Sequence, residues 1–282
     1  MTRRLTLSKY QAGGNDFLVV DELDGAVGEL DVPGLCDRWF GVGADGLIRV
    51  GRGAQAPYAF ALTNADGSAA GMSGNGMRCL GAWLRDAEHV AHGASFDVET
   101  PAGLRHVWLT LDGATVAMGQ PNFTKAAIPM RGPAWETFQE QPFDAGDGRT
   151  MVATALSMGN PHLVLFTEED PERYHVEHMG PGLEHHELFP ERTNVEFARI
   201  ADDGAIDVRV WERGVGETLA CGTGACAVAV AANEAGRAAT TVTVRFRGGP
   251  LHVERRSDGE VLLGGPVAHV FDAMVDLDEL GG

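Results

Sequence analysis

Two short stretches of this 282-residue chain repeat one pattern, and that repeat constrains the fold more than any other feature. Ser73–Cys79 reads SGNGMRC and Cys221–Cys226 reads CGTGAC. Each is a small polar residue, then a glycine-rich turn, then the start of a helix-forming run. A Gly-Asn turn precedes each one, in Gly13–Phe17 (GGNDF) and in Met158–His162 (MGNPH). The repeated order predicts two similar halves, each aiming one hydrogen-bonding side chain from a helix N-terminus.

The composition excludes several functional classes. A formal charge of −18 argues against nucleic acids and anionic membranes as partners, because phosphate contacts need basic clusters. An apolar fraction of 44% with 22% charged residues is ordinary for a soluble globular protein. The four cysteines are too few and too scattered for a disulfide framework or a zinc site. With no signal-peptide pattern at the start, we expect a cytoplasmic protein.

Hydrophobic periodicity predicts strands in both halves and one helix in each. Gly76–Val90 shows helical spacing, and Gly224–Ala235 is small and apolar on nearly all sides. A helix of the second kind is expected inside a cage of strands. Gly119–Pro121 breaks the strand pattern and is the candidate linker. The expected domains are therefore 1–119 with 270–282, and 120–269.

Two segments are expected to lack regular structure. Pro133–Gly148 is polar and rich in turn residues, which indicates a surface excursion. The acidic stretch Asp272–Leu280 is expected to be a solvated end, although Ala268–Phe271 before it reads as a short strand.

The glycine-rich turns are candidate anion sites. Gly74-Asn75-Gly76 and Gly222-Thr223-Gly224 each precede a predicted helix, whose first N–H groups are unpaired and carry the positive end of the helix dipole. Such a place binds phosphate or carboxylate. One isolated motif could equally serve a tight turn, but two copies at matched positions favour a ligand site. The chain lacks the GxxxxGK[ST] pattern of a nucleotide-phosphate loop.

Cys221 is the cysteine with the strongest chemical signal. A helix N-terminus is expected to lower the pKa of its thiol toward neutrality and to make it a usable base or nucleophile. Cys36, Cys79 and Cys226 are interpreted as buried structural thiols.

Asparagines at turns form the candidate substrate shell. They are Asn15, Asn64, Asn75, Asn160 and Asn194. Each one alone fits a structural role, since asparagine suits turn positions. Together with Glu212 and Arg213 they could recognise a zwitterion, because an arginine fork takes a carboxylate and amide or carbonyl oxygens take an ammonium.

Seven motifs together resemble a known family almost from end to end. They are KYQAGGNDFLVVD (Lys9–Asp21), RWFGVGADGLI (Arg38–Ile48), NADGS (Asn64–Ser68), SGNGMRC, SMGNPH, RTNVEF (Arg192–Phe197) and ERGVGETLACGTGAC (Glu212–Cys226). The chain is similar to the diaminopimelate epimerases, of the cofactor-independent racemase superfamily that includes proline racemase. The resemblance implies an α/β fold of two pseudo-symmetric domains, each a curved sheet around a central helix, with the active site in the cleft between them. It also implies interconversion of LL- and meso-2,6-diaminopimelate without pyridoxal phosphate or metal, in a homodimer.

The resemblance also implies roles for individual residues. Cys221 and Ser73 would be the catalytic pair, and His162 would adjust the nearby acid–base group. Backbone groups of Gly74, Asn75, Gly222 and Thr223 would hold the reacting carboxylate. The rest of the substrate would be held by Asn15, Asn64, Asn160, Asn194, Glu212 and Arg213. The physical logic agrees, since removing an amino-acid α-proton requires donors that stabilise the carbanion.

Ser73 departs from the family pattern, which has cysteine at this position. An alcohol is a far weaker acid than a thiol, by roughly 7 pKa units if water stands in for serine. Three explanations stay open: a natural Ser/Cys pair, a deliberate Cys→Ser change, or loss of epimerisation. The chain could therefore be an epimerase or racemase of another amino acid, or a catalytically silent amino-acid binder. A second departure is Gly46, where some members carry glutamine.

Overall fold

The fold is mixed α/β and consists mostly of strands, as predicted. A computed structural model describes residues 4–145 and 148–278. The chain divides into two compact units, Met1–Ala117 with Gly264–Gly282 (unit 1) and Met118–Leu263 (unit 2). In the part of the chain that is described, no helix is both long and apolar enough to cross a membrane.

Strands outnumber helices in the described part of the chain. In chain order the elements are β1 (Arg4–Ala12), β2 (Asn15–Asp21), α1 (Val32–Cys36), β3 (Gly46–Gly51), β4 (Tyr58–Asn64), β5 (Ala69–Ala70), α2 (Gly74–Asp86), β6 (Ser95–Thr100), β7 (Gly103–Leu109), β8 (Gly113–Ala117), β9 (Phe138–Asp144), β10 (Thr150–Ser157), β11 (Pro161–Phe166), α3 (Val176–Glu184), β12 (Asn194–Ile200), β13 (Ile206–Glu212), β14 (Gly216–Thr218), α4 (Gly222–Glu234), β15 (Thr241–Phe246), β16 (Gly249–Arg255), β17 (Val261–Pro266) and β18 (Ala268–Asp276).

The two units repeat one strand plan. In unit 1, β1 is antiparallel to β18 and β2, β2 is parallel to β3, and β3 is antiparallel to β4. Strand β4 then pairs antiparallel with β5 and parallel with β6, which continues through β7 to β8. In unit 2, β10 is antiparallel to β9 and β11, β11 is parallel to β12, and β12 is antiparallel to β13. Strand β13 pairs antiparallel with β14 and parallel with β15, and β15 pairs with β16. The duplication inferred from the motifs is thus present in the pairing of the strands.

Each unit encloses one 13-residue helix. Strands on several sides contact α2, including β1, β2, β7 and β8, and likewise β10, β11, β12 and β16 contact α4. Ten of the 13 residues of α4 are buried, which its small apolar sequence allows because no polar face needs solvent. The helices begin at Ser73 and Cys221, whose extended backbone and side-chain acceptors make them N-caps. The repeat therefore places one side chain at the same point of each unit.

Two segments expected to be irregular form strands instead. Within Pro133–Gly148, Phe138–Asp144 pairs with β10, and its Phe143 is buried in the core of unit 2. Strand β18 runs through Asp276 rather than ending at Phe271, because its main chain pairs with β1 whatever its side chains are. In both cases backbone hydrogen bonds to the neighbouring strand hold the segment in place, although its polar side chains do not predict a strand. Gly146, Asp147 and the end of the acidic stretch lie outside the described residues.

Candidate active site

Residues 73 and 221 occupy equivalent helix caps. The Ser73 Oγ accepts a hydrogen bond from the Gly76 N–H at 3.0 Å, and the Cys221 Sγ accepts one from the Gly224 N–H at 3.4 Å. Each cap satisfies one N–H of the first turn and holds its oxygen or sulfur atom at the positive end of the helix dipole.

Unit 2 buries Cys221 beside two carboxylates. Burial raises the pKa of the Cys221 thiol well above its ordinary value, and the charges of Glu212 and Glu196 raise it further. Hydrogen bonds from Thr223 and from the Gly224 N–H act in the opposite direction but are outweighed. The prediction that the helix N-terminus lowers this pKa toward neutrality is therefore wrong. The dipole acts on a buried thiol whose ionised form also meets two like charges.

Glu212 lies against the thiol itself. Its carboxylate accepts a hydrogen bond from Thr218 Oγ1 at 2.5 Å and is hydrogen-bonded to Cys221. Desolvation raises the pKa of Glu212, while the bonds from Thr218 and Cys221 lower it in part. The S–H of a neutral Cys221 therefore has an acceptor at hand.

A histidine–carboxylate pair lies behind the same helix turn. His162 Nδ1 is 2.6 Å from Glu196 Oε1, and both side chains are 0% exposed. The other ring nitrogen, Nε2, is 2.9 Å from Asn160 Oδ1. A Cβ atom added to Gly224 would lie only 2.9 Å from Glu196 Oε1, so the carboxylate packs against the first turn of α4 and a side chain at residue 224 would displace it.

Asn160 continues this chain of contacts to the sulfur. Its Nδ2 donates to Thr223 Oγ1 at 3.3 Å, and Thr223 Oγ1 is 3.5 Å from Cys221 Sγ. Because Nδ2 is the donor to Thr223, Oδ1 is the acceptor facing His162. Three of the residues singled out in the sequence, Asn160, His162 and Thr223, thus converge on Cys221.

Asn194 and Arg213 meet at the next strand ends. Asn194 is buried, donates to the Pro161 carbonyl at 2.8 Å and accepts from the Arg213 N–H at 2.9 Å. The guanidinium of Arg213 is exposed and reaches the Glu191 carbonyl at 3.4 Å. Asn194 therefore fixes the backbone that presents Arg213.

Unit 1 gathers a different set around Ser73. Asn75, in the first turn of α2, donates to Asn15 Oδ1 at 3.4 Å and accepts from Arg78 Nη2 at 2.9 Å. Arg78 is fully buried, and its Nη1 is 3.4 Å from the Gly74 carbonyl. Residue 73 thus precedes a helix turn that carries a buried positive charge.

Asn15 connects this turn to a network of ion pairs. Its Nδ2 donates to Asp45 at 2.6 Å, and Arg38 bridges Asp45 and Asp16 at 2.7 and 2.8 Å. Lys9 pairs with Asp16 at 2.7 Å. Burial alone would raise the pKa of Asp16, but the bonds from Arg38 and Lys9 outweigh it and lower that pKa to about 2.

Asn64 is placed apart from these contacts. It ends β4 opposite Gly46, and its Nδ2 donates to Ser68 Oγ at 2.9 Å. Within residues 4–145 and 148–278, no hydrogen bond joins it to Ser73.

The register of the two units shows what stands in unit 1 where His162 and Glu196 stand in unit 2. In unit 1, Ile48 pairs with Leu62, and Leu62 pairs with Ala70. In unit 2, Glu196 pairs in the same way with Val210, and Val210 pairs with Thr218. Likewise Phe17 faces Gly46 as His162 faces Asn194. The counterparts are thus Ile48 and Phe17, both buried and apolar.

Sequence reasoning missed Glu196 and Arg78. Glu196 had a readable signal, since it interrupts an apolar strand in Val195-Glu196-Phe197 and a buried charge needs a partner. Arg78 looked like the polar face of its helix, and only the enclosing sheet shows that it is buried. Cys36, Cys79 and Cys226 are buried, as expected.

Each cap by itself suits proton transfer. Unit 2 has a thiol and unit 1 a hydroxyl at a helix N-terminus, each beside first-turn N–H groups that can stabilise a developing anion. Among the described residues, no three His, Cys, Asp or Glu side chains are grouped as metal ligands would be.

Comparison with known proteins agrees with the chemistry of these residues. A sequence model of the diaminopimelate epimerase family matches residues 7–124 and 154–270. The chain is 45% identical over 278 residues to a diaminopimelate epimerase of Desulforudis audaxviator, covering 95% of this chain and 98% of that one. It is 43% identical over 281 residues to a chloroplastic diaminopimelate epimerase of Oryza sativa subsp. japonica, covering 95% and 79%. The fold matches that of a probable proline racemase from Agrobacterium radiobacter K84 with a TM-score of 0.73 at 16% identity, covering 98% and 94%.

Proposed function

Because the chain belongs to the diaminopimelate epimerase family, we propose that it interconverts LL- and meso-2,6-diaminopimelate by moving the proton on one α-carbon. Its family makes it an isomerase of the epimerase type. The observation that carries the proposal is the pair of equivalent helix caps, Ser73 and Cys221, within motifs of this family. The reaction would serve the synthesis of lysine.

We propose Cys221 and Ser73 as the two proton-transfer residues. Inversion at an α-carbon removes a proton from one face and returns one to the other, so it needs one base and one acid. A thiolate at Cys221 takes the proton, and the Ser73 hydroxyl returns one to the carbanion. Serine ionises far less readily than cysteine, so the active protonation state has its negative charge on Cys221.

This assignment has a consequence for pH. Because burial and the neighbouring carboxylates raise the pKa of Cys221, its thiolate is a minor species at neutral pH. The α-proton exchange rate therefore increases as pH rises toward that pKa. The step leaves Cys221 as a thiol and Ser73 as an alkoxide, so before the next turnover the thiol releases a proton to water and the alkoxide regains one from water. In the reverse direction the alkoxide has to form first, to act as the base, which costs on the order of 10 kcal/mol more than forming a thiolate. A helix dipole contributes only about 1–2 kcal/mol against that difference.

The substrate contacts are proposals of the same kind. The backbone N–H groups of Gly74-Asn75 and Gly222-Thr223 would hold the reacting carboxylate. The remainder of the substrate would be held by Asn15, Asn64, Asn160, Asn194, Glu212 and Arg213. We further propose a reaction without pyridoxal phosphate in a cytoplasmic homodimer, with two domains at 1–119 with 270–282 and at 120–269, bounds that lie near those of units 1 and 2.

The decisive experiment is incubation of the purified protein with LL-2,6-diaminopimelate in D₂O. We expect meso product by chromatography and deuterium at one α-carbon by mass spectrometry. Absence of both at neutral and alkaline pH would end the proposal. The Cys221→Ala protein is the matched control for exchange without enzyme.

A second candidate function follows from Ser73 alone. A Ser/Cys pair suits an epimerase or racemase acting on another amino acid, and loss of both activities would leave an amino-acid binder. α-Deuteration of a panel of amino acids distinguishes them. Exchange of another substrate without exchange of diaminopimelate would favour the first, and tight binding without any exchange would favour the binder.

A further inference from the structure

The contacts around Cys221 form one hydrogen-bonded chain with a direction. His162 presents Nε2–H to Asn160 Oδ1, Asn160 presents Nδ2–H to Thr223 Oγ1, and the Thr223 hydroxyl is left to donate to the sulfur. Each residue in this chain donates its hydrogen bond toward Cys221. Such a chain stabilises a thiolate, because every bond in it strengthens when charge develops at its end.

Glu196 stands at the start of this chain. Asn160 needs an N–H from His162 Nε2, so the single proton that remains in the pair lies between Nδ1 and Glu196 Oε1, 2.6 Å apart. The second oxygen, Oε2, is buried and has no hydrogen-bond partner in the described part of the chain. A buried carboxylate with only one hydrogen bond depends on that bond, which ties Glu196 to His162.

We propose that Glu196 is a positioning residue for Cys221, which holds His162, Asn160 and Thr223 in a hydrogen-bonded chain that ends at the sulfur. Glu196 does not touch the substrate; it acts through the chain. The kinetic test of this proposal rests on the proposed function, whereas the tests by thiol alkylation and by NMR do not. Unit 1 has no counterpart of the His162–Glu196 pair, since Phe17 and Ile48 occupy the equivalent positions.

The charge of Glu196 acts on Cys221 as well. Ionisable groups reach Cys221 from three strands: Glu212 from β13, Glu196 from β12 and His162 from β11. On the other strands packed on α4, Arg255 pairs with Glu234, and Arg245 pairs with Asp203 and Asp207. His252 and Glu254 of β16 are exposed. The proton shared with His162 offsets the charge of Glu196, because the pair as a whole is neutral when Nε2 also carries a proton. Exchanging Glu196 for glutamine therefore changes the field at the thiol little, whereas removing its hydrogen bond misaligns the chain.

Two variants separate these effects. Glu196→Gln removes the charge but can still hydrogen-bond to His162, and Glu196→Leu removes both. We expect the pH midpoint of Cys221 alkylation, followed by peptide mass spectrometry, to rise by about one unit in Glu196→Leu, which loses the chain that stabilises the thiolate, and to change little in Glu196→Gln. We expect the plateau kcat of α-proton exchange to fall about 10- to 100-fold in Glu196→Leu with KM nearly unchanged, and to be mostly retained in Glu196→Gln. Glu184→Gln, a buried carboxylate elsewhere in unit 2, is the control and should leave the midpoint where it is.

A measurement on the unaltered protein covers the case in which Glu196→Leu does not fold. In ¹⁵N-histidine NMR spectra, with His162 assigned through His162→Gln, Nε2 should carry a proton at pH 7. An unprotonated Nε2, or an alkylation midpoint that Glu196→Leu leaves unchanged, would overturn the proposal. Neither readout uses the substrate, so failure of the epimerase assignment alone would leave them informative.

Discussion

The two helix caps share a scaffold and differ in charge. At Cys221, unit 2 buries two carboxylates and an imidazole, and Glu212 and Glu196 both raise the pKa of the thiol. At Ser73, unit 1 buries the guanidinium of Arg78 and fills the positions of His162 and Glu196 with Phe17 and Ile48. The same strand order, helix length and cap geometry thus support opposite electrostatic surroundings.

This difference shows which groups determine the acidity of each cap residue. The helix dipole is common to both caps, so it cannot distinguish them. The distinguishing groups are side chains of the strands behind each helix, together with Arg78 on α2 itself. Mutations at those positions are therefore the way to exchange the properties of the two caps.

Removing the thiol should have the largest effect. Cys221→Ala takes away the proposed base, so α-proton exchange should fall at least about 10³-fold. Deuterium incorporation measures it. Cys226→Ala, further along the same buried helix, is the control and should retain exchange. Comparable losses in both would show that the helix, not the thiol, had been damaged.

Transplanting the carboxylate into unit 1 should cost stability. Ile48→Glu places a charge at the position of Glu196 but with Phe17 instead of a histidine as its counterpart, so it has no buried partner. We expect the free energy of unfolding to fall by about 3 kcal/mol or more. Urea unfolding measures it, with Ile48→Val expected to lose about 1 kcal/mol. A loss below that of Ile48→Val would mean that unit 1 already accommodates a charge there.

Restoring a thiol at position 73 should increase activity. Ser73→Cys places an ionisable group at the N-terminus of the helix that carries buried Arg78, and we expect α-proton exchange at pH 7 to rise about tenfold or more. The pH profile should also shift to lower pH, because the base no longer depends on the raised pKa of Cys221. Steady-state exchange from about pH 6 to about pH 10 measures both, beside Ser73→Ala as the variant without a donor. A sharp fall in rate would show that serine is a tuned participant.

The smallest expected effect concerns substrate recognition. Arg213→Lys keeps the charge but loses the bidentate fork, so we expect binding of diaminopimelate to weaken about threefold to tenfold. Isothermal titration calorimetry measures it. Unchanged affinity would remove Arg213 from the substrate contacts.

The sequence predicted the duplicated scaffold well, because cap residues, glycine turns and period-two strands are local signals. It placed both caps correctly at Ser73 and Cys221. It failed on Phe138–Asp144, since a polar strand is held by backbone pairing that no local pattern reveals. It also failed on the acidity of Cys221, which depends on Glu196 and Glu212 from two other strands. The acidity of Cys221 depends on charges that the fold brings together, and the sequence does not give the distances between them.

One measurement tests the difference in charge between the caps most directly. In Ser73→Cys, under reducing conditions, the alkylation of both cap thiols is followed against pH in a single protein. We predict that the introduced thiol reacts with a midpoint at least about one unit below that of Cys221, since Arg78 favours its ionised form. Equal midpoints, or a lower one at Cys221, would contradict the account.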